Sequence, residues 1–177
     1  TTLPRSGSGF GTTAALAMGD ALAVGVLEAR GFTEQDFALS HPGGSLGRRL
    51  LLHVAGVMRT GDGLPQVGPD APLKEGLLEM SRKGLGMTTV TDKDGKLLGV
   101  FTDGDLRRVL DRTLDLNGVS MRDVMTAHPR AAQPRMLAAE AVHLMETYRI
   151  TALPVVDENT VVVGALNVHD LLRAGVM

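Results

Sequence analysis

Apolar and polar positions over residues 56–177 switch between two periods, and the same switch happens twice. Leu73, Leu77, Leu78 and Met80 recur at helical spacing, with Asp70 as cap and Pro72 in the first turn, and Gly84 stops the helix. Met87–Thr91 and residues 96–101 then read as short strands around a Lys93-Asp94-Gly95 turn, and Asp103–Leu110 returns to helix. The second pass predicts helix over 136–147, then strands over 153–156 and 161–166 around Asp157-Glu158-Asn159. A helix over 168–174 closes it, and Asn117-Gly118 marks the turn between the passes.

The repetition extends to individual residues. Gly99-Val100-Phe101-Thr102-Asp103-Gly104-Asp105-Leu106 returns as Gly164-Ala165-Leu166-Asn167-Val168-His169-Asp170-Leu171, an offset of 65 positions that also relates Asp92 to Asp157. Val57-Met58-Arg59-Thr60 returns as Val124-Met125-Thr126-Ala127, an offset of 67. A repeat of this length is a supersecondary unit, and two such units bury their apolar faces against each other. The fold class is therefore α/β in the α+β sense: two helix-strand-strand-helix units, one over 56–117 and one over 118–177, in a pseudo-two-fold pair. The cleft between them is the expected ligand site.

The first 55 residues have a different texture. Residues 1–11 are small, polar and glycine-rich and read as a flexible lead-in. A helix is predicted over 14–30, capped by Thr12 or Thr13 and ended by Gly31, and on its own it would expose apolar surface. Thr33 and Asp36 resemble a capping box for a short helix to Leu39, Ser40 to Ser45 break it, and 46–53 can resume.

Composition removes several function classes. A net charge of −2 offers no electrostatic case for nucleic acid, and 3% aromatic residues without Trp provide no stacking platforms. With no Cys there is no disulfide, zinc-thiolate site or cysteine nucleophile. The five histidines lack metal-ligand spacing, and His143 is expected to be packed or exposed rather than a ligand. No apolar run approaches the roughly 20 residues of a membrane span, and the first residues do not resemble a secretory signal. A cytoplasmic protein without membrane contact is the expectation. Met58, Met125 and Met145 read as adaptable filler at the seam between units.

The doubled unit, with Val-Met at its head and the Gly-to-Leu motif at its tail, resembles a tandem pair of CBS (cystathionine β-synthase) domains. That resemblance implies nucleotide binding and regulation of an attached enzyme or channel. Residues 12–55 carry a second resemblance, through Thr12-Thr13-Ala14, Gly19-Asp20-Ala21-Leu22-Ala23, Arg30-Gly31-Phe32 and Ser40-His41-Pro42-Gly43-Gly44-Ser45-Leu46-Gly47-Arg48. They are similar to the end of a SIS (sugar isomerase) domain, in the D-arabinose 5-phosphate isomerase family. The resemblance implies interconversion of ribulose 5-phosphate and arabinose 5-phosphate, at the head of the Kdo branch of lipopolysaccharide synthesis. Only the last SIS helices match, so the phosphate loops are missing and this chain alone is expected to be inactive.

Within that frame His41 matches the family's active-site histidine. An imidazole there can move the enediol proton, and the alternative is a helix-breaking turn whose His packs or caps. Thr102 and Asp105 flank a helix start, where they can hold phosphate and ribose hydroxyls or simply cap the helix. Asn167, His169 and Asp170 are the second unit's counterparts, and Asn in place of Thr predicts unequal half-sites. The resemblance places Thr88 and Thr151 near the base of a bound nucleotide. Arg107, Arg108 and Arg149 can add positive charge at the cleft mouth. The expected effector is a nucleotide such as CMP-Kdo, with an adenine-nucleotide sensor or a pure oligomerisation scaffold as alternatives. A homodimer or homotetramer is expected, with no required cofactor and no metal.

Overall fold

The computed structural model describes residues 9–31, 51–112 and 115–177. Helix α1 spans Gly9–Ala29, so its first turn draws in Gly9 to Gly11 from the expected lead-in, and Thr12 and Thr13 lie within the helix rather than before it. A long helix gains one hydrogen bond per added residue, which offsets the poor propensity of glycine. Gly31 follows with φ 64°, as a C-terminal stop requires. Leu16, Met18 and Leu22 of α1 are exposed.

The first repeat unit contains β1 (Gln66–Val67), α2 (Leu73–Lys83), β2 (Met87–Thr91), β3 (Leu97–Thr102) and α3 (Asp103–Leu110). After α4 (Met121–Val124) and β4 (Thr126–Ala127), the second unit has α5 (Ala138–Tyr148), β5 (Ala152–Val156), β6 (Val162–Asn167) and α6 (Val168–Arg173). Pro72 and Leu137 are the N-caps of α2 and α5, so each begins two residues later than the periodicity predicts. Asp70 does not cap α2 but pairs with Arg122 at 3.0 Å.

The first sheet runs β1-β2-β3-β4, with β1 parallel to β2 and the other neighbours antiparallel. The second sheet repeats the arrangement with single bridges at its edges. Ala132 pairs parallel with Val155 of β5, and Arg59 pairs antiparallel with Ala165 of β6. Val67 and Ala132 therefore stand at one equivalent position, and Thr126 and Arg59 at another.

Those outer strands are exchanged. The segment that precedes the first unit lies on the second: Val54 sits in the second core with Leu153, Leu166 and Leu171, and its N–H donates to the Met136 carbonyl at 2.8 Å. Conversely Met121 lies in the first core with Leu73, Val90 and Phe101, and its N–H donates to Ala71 at 2.9 Å. A third cluster of Leu85, Met87, Val100 and Ala165 forms the seam. The Val-Met heads thus pack on the unit opposite the one the repeat assigns them to.

Glycine makes this exchange possible. A Cβ built on Gly99 would lie 2.6 Å from Met125 Sδ and 2.9 Å from the Thr126 carbonyl, and one on Gly164 would lie 2.6 Å from Met58 Sδ and 3.0 Å from the Arg59 carbonyl. Gly99→Ala and Gly164→Ala are each expected to cost about 1–3 kcal/mol through overpacking, measured by urea unfolding. A loss near zero would show that the exchanged strands do not need the close approach.

Helices α2 and α5 both end on a left-handed residue, but these are Gly84 (φ 59°) and Arg149 (φ 53°) respectively. The left-handed region costs a non-glycine residue about 1–2 kcal/mol, partly offset by glycine's greater freedom when unfolded. Arg149→Gly is therefore expected to raise stability by up to about 1 kcal/mol, read by the same urea titration.

Candidate functional site

At the ends of β3 and β6 the chain turns directly into a helix, and both turns are closed the same way. Thr102 caps α3: its hydroxyl oxygen accepts from the Asp105 N–H at 3.3 Å, and Asp105 Oδ2 accepts from the Thr102 N–H at 2.8 Å. Asn167 caps α6 in the same manner with Asp170, at 3.0 and 3.1 Å. Capping is thus realised at both positions, and each carboxylate is fixed at the cleft between the units.

The two carboxylates then part company. Asp105 Oδ2 also accepts from the Thr102 hydroxyl at 2.7 Å, while Oδ1 accepts from the Thr126 hydroxyl at 2.9 Å and from Arg108. The Asp105 side chain is only 5% exposed, but Arg108 is 60% exposed. Asp170 instead faces Arg59, whose Nε and Nη2 donate to its two oxygens at 3.0 Å each. Arg173 adds a bond to Oδ1 at 3.2 Å.

Around Asp105 the cleft is open, with a volume of about 790 Å³. Its floor is apolar, from Met87, Val100, Ala152 and Pro154, and Thr102, Asp103, Gly104 and Thr151 line it as well. Five cationic or basic side chains rim it: Arg107, Arg108, His128, Arg130 and Arg149. Arg130 stacks over the Tyr148 ring at 4.3 Å, which holds its guanidinium in place. His128 and Arg149 both sit at positive φ, 50° and 53°. Their counterparts by the repeat offsets are Gly61 and Gly84, with φ 53° and 59°. The backbone is the same on both sides of the pseudo-dyad, but one side carries basic side chains at a conformational cost. Residues held in unfavourable backbone regions cluster at functional sites.

The structure brings Thr102, Asp105, Thr151, Arg107, Arg108 and Arg149 together at this cleft. Thr88 is elsewhere: it is fully buried on the helix-facing side of β2, with its hydroxyl donating to the Gly76 carbonyl at 3.2 Å. Thr88 and Thr151 are not equivalent in the repeat, because the offset of 65 aligns Thr151 with Gly86 and Thr88 with Leu153. Asn167 and Asp170 stand at the opposite cleft, where Asn167 Nδ2 donates to the Leu85 carbonyl at 3.2 Å. His169 is exposed at the start of α6, its carbonyl accepting from Arg173 at 3.5 Å. His41 lies outside the described residues.

Behind the cleft, the Ser120 hydroxyl and then its backbone N–H hold Asp123 below the ordinary carboxylate value of 3.8. Among the described residues no cluster of His and carboxylates suits a metal ion. None of the described helices is long and apolar enough to cross a membrane. Sequence reading missed Arg59, Thr126, His128 and Arg130. The signal for the first two was present in the aligned heads, where Arg59 already stands opposite Thr126, but neither residue was read as part of the site.

Comparison with known proteins agrees with this geometry. The CBS domain family matches twice, over residues 54–112 and 121–176. Arabinose 5-phosphate isomerase KdsD of Pseudomonas aeruginosa is 60% identical over 94% of this chain and 51% of its own length. The enzyme of the same name in Escherichia coli is 54% identical over 94% and 50%. The chain spans about half the length of these curated relatives. Among solved structures, CBSX2 in complex with AMP is 25% identical with a TM-score of 0.59, covering 70% of this chain and 95% of that one. The CBS pair of MJ0100, solved with 5-methylthioadenosine and S-adenosyl-L-methionine, shares the fold at 21% identity and a TM-score of 0.61, over 68% of this chain and 93% of its own. Two family matches in register with two pseudo-symmetric units make this chain a member of the CBS domain family, in the form of a tandem pair.

Proposed function

We propose that the open cleft at Asp105 binds a nucleotide phosphate, and that the pair thereby regulates an arabinose 5-phosphate isomerase. The observation that carries this reading is the basic rim of Arg107, Arg108, His128, Arg130 and Arg149 above an apolar floor. Guanidinium groups match phosphate oxygens in planar pairs, and the start of α3 adds the favourable end of a helix dipole. The floor of Met87, Ala152 and Pro154 suits a base. Asp105 faces the ribose, because its exposed partner Arg108 can give way to a sugar hydroxyl.

The high identity to isomerases named for arabinose 5-phosphate supports the regulatory role. The AMP-bound relative supports an adenine nucleotide as ligand. CMP-Kdo is the other effector we propose, since it joins a nucleotide phosphate to the sugar acid of that pathway. Regulation requires that the ligand prefer one arrangement of the attached catalytic parts over another. Exposed Leu78, Leu110 and Leu172 on three helices of the pair support self-association into dimers or tetramers.

Calorimetric titration with AMP, ATP, CMP and CMP-Kdo tests the reading. At least one is expected to bind with a dissociation constant on the order of micromolar. Arg149→Gly should weaken that binding by about tenfold or more, although the same change is expected to stabilise the fold. Stability gained with affinity lost is the mark of a side chain kept for binding. No binding of any of the four nucleotides would overturn the proposal and leave the pair as an assembly element.

A further inference from the structure

The second cleft is built on the same backbone, so its state needs its own account. At the position of Thr126 it has Arg59, which pairs with the same strand position on the opposite sheet. Thr126 sends a short hydroxyl towards Asp105. Arg59 sends a whole guanidinium, which takes both oxygens of Asp170 and donates through Nη1 to the Lys83 carbonyl at 2.8 Å. Lys83 in turn donates to the Asp62 carbonyl. With the bond from Asn167 to Leu85, these contacts stitch the end of α2 to the start of α6 across the cleft.

We infer that Arg59 is an internal ligand: its guanidinium fills the second cleft and restricts this chain to one nucleotide, held at the Asp105 side. The inference deepens the reading of the open cleft and rests on it. Three features of the second cleft carry it. Arg59 is 24% exposed and Asp170 9%, so the pair is largely withdrawn from water, and a partly buried carboxylate holds its counter-ion firmly. The walls that carry His128, Arg130 and Arg149 in the open cleft are Gly61, Gly63 and Gly84 here, so this cleft lacks three of the basic side chains that rim the open one. Finally, the donors a ribose could replace are committed. Each carboxylate meets an exposed arginine of its own helix, Arg108 or Arg173, but Asp170 is also gripped from inside by the guanidinium of Arg59 on a neighbouring strand.

The open cleft also shows what the closed one would be without its plug. Thr, Asp and an exposed Arg from the following helix turn (Thr126, Asp105 and Arg108) form a stable set there. Arg59→Thr recreates that set with Asp170 and Arg173. The reciprocal change, Thr126→Arg, puts a guanidinium where it can reach Asp105 and close the open cleft.

The test is a calorimetric titration of wild type, Arg59→Thr and Thr126→Arg with AMP. Wild type is expected to bind one AMP per chain. Arg59→Thr should gain a second, weaker site, and Thr126→Arg should lose affinity by more than about tenfold. Two sites in wild type, or unchanged affinity in Thr126→Arg, would overturn the inference. If Arg59→Thr does not fold, the NMR signal of the Arg59 Nε–H in wild type decides instead. It should stay unmoved at saturating AMP while the amide of Thr102 shifts, and movement of Arg59 with ligand would overturn the inference. Should wild type bind none of AMP, ATP, CMP and CMP-Kdo, the reading of the open cleft fails by itself. The plug is then judged on whether Arg59→Thr binds adenosine where wild type does not: gained binding supports it, and equal absence overturns it.

Discussion

Two bare backbone positions hold this fold together. Gly99 and Gly164 let Met125 and Met58 lie directly on the sheet, with the following strand residues, Thr126 and Arg59, paired at its edge. Each unit is thereby completed by a strand piece belonging to the lead of the other. An uncovered edge would leave unpaired backbone groups, and the exchange satisfies them while tying the units into one cooperative body. The seam of Leu85, Met87, Val100 and Ala165 forms between the two sheets as a result. So do two clefts, each bounded by one helix start and one exchanged strand.

The same exchange makes the clefts unequal. Because Thr126 and Arg59 arrive from crossed segments, each is the residue that meets the capping carboxylate of the opposite unit. A hydroxyl there leaves space, and a guanidinium takes it. The left-handed positions amplify the difference: glycine relaxes the closed side, and His128 and Arg149 charge the open side at the expense of stability. One symmetric backbone thus carries a half relaxed by glycine and a half charged by basic side chains. Division of labour of this sort is open to any duplicated unit, since the fold needs the strain-free residue in only one copy.

Much of the fold was legible in the sequence because its signals are local. Periodicity and turn chemistry located α2, β2, β3, α3 and their repeats to within a residue or two, and Thr102 and Asn167 were visible as caps, since a cap depends on residues three apart. The site was legible in part. Thr102, Asp105, Thr151 and Arg149 were found as a cleft set, but Thr88 was assigned to it although its strand face points at α2. A strand presents alternate faces, and choosing between them needs the partner layer. Arg130 and His128 lie in an irregular segment without periodicity, where no local pattern singles out a basic residue.

By itself the sequence determined that two equivalent helix-strand-strand-helix units exist, where each helix begins, and that Asp105 and Asp170 hold matching places. Those properties follow from hydrogen bonds and side-chain patterns a few residues apart. Only the tertiary structure decided which unit each Val-Met head completes, and hence that Arg59 meets Asp170 across 111 positions while Thr126 meets Asp105. The two alternatives bury the same motif on the same kind of sheet, so composition and periodicity are identical for both. Packing distinguishes them, because each head fills the edge that β3 or β6 of the opposite sheet leaves open, while the segment beyond it returns to β2 or β5 of its own unit.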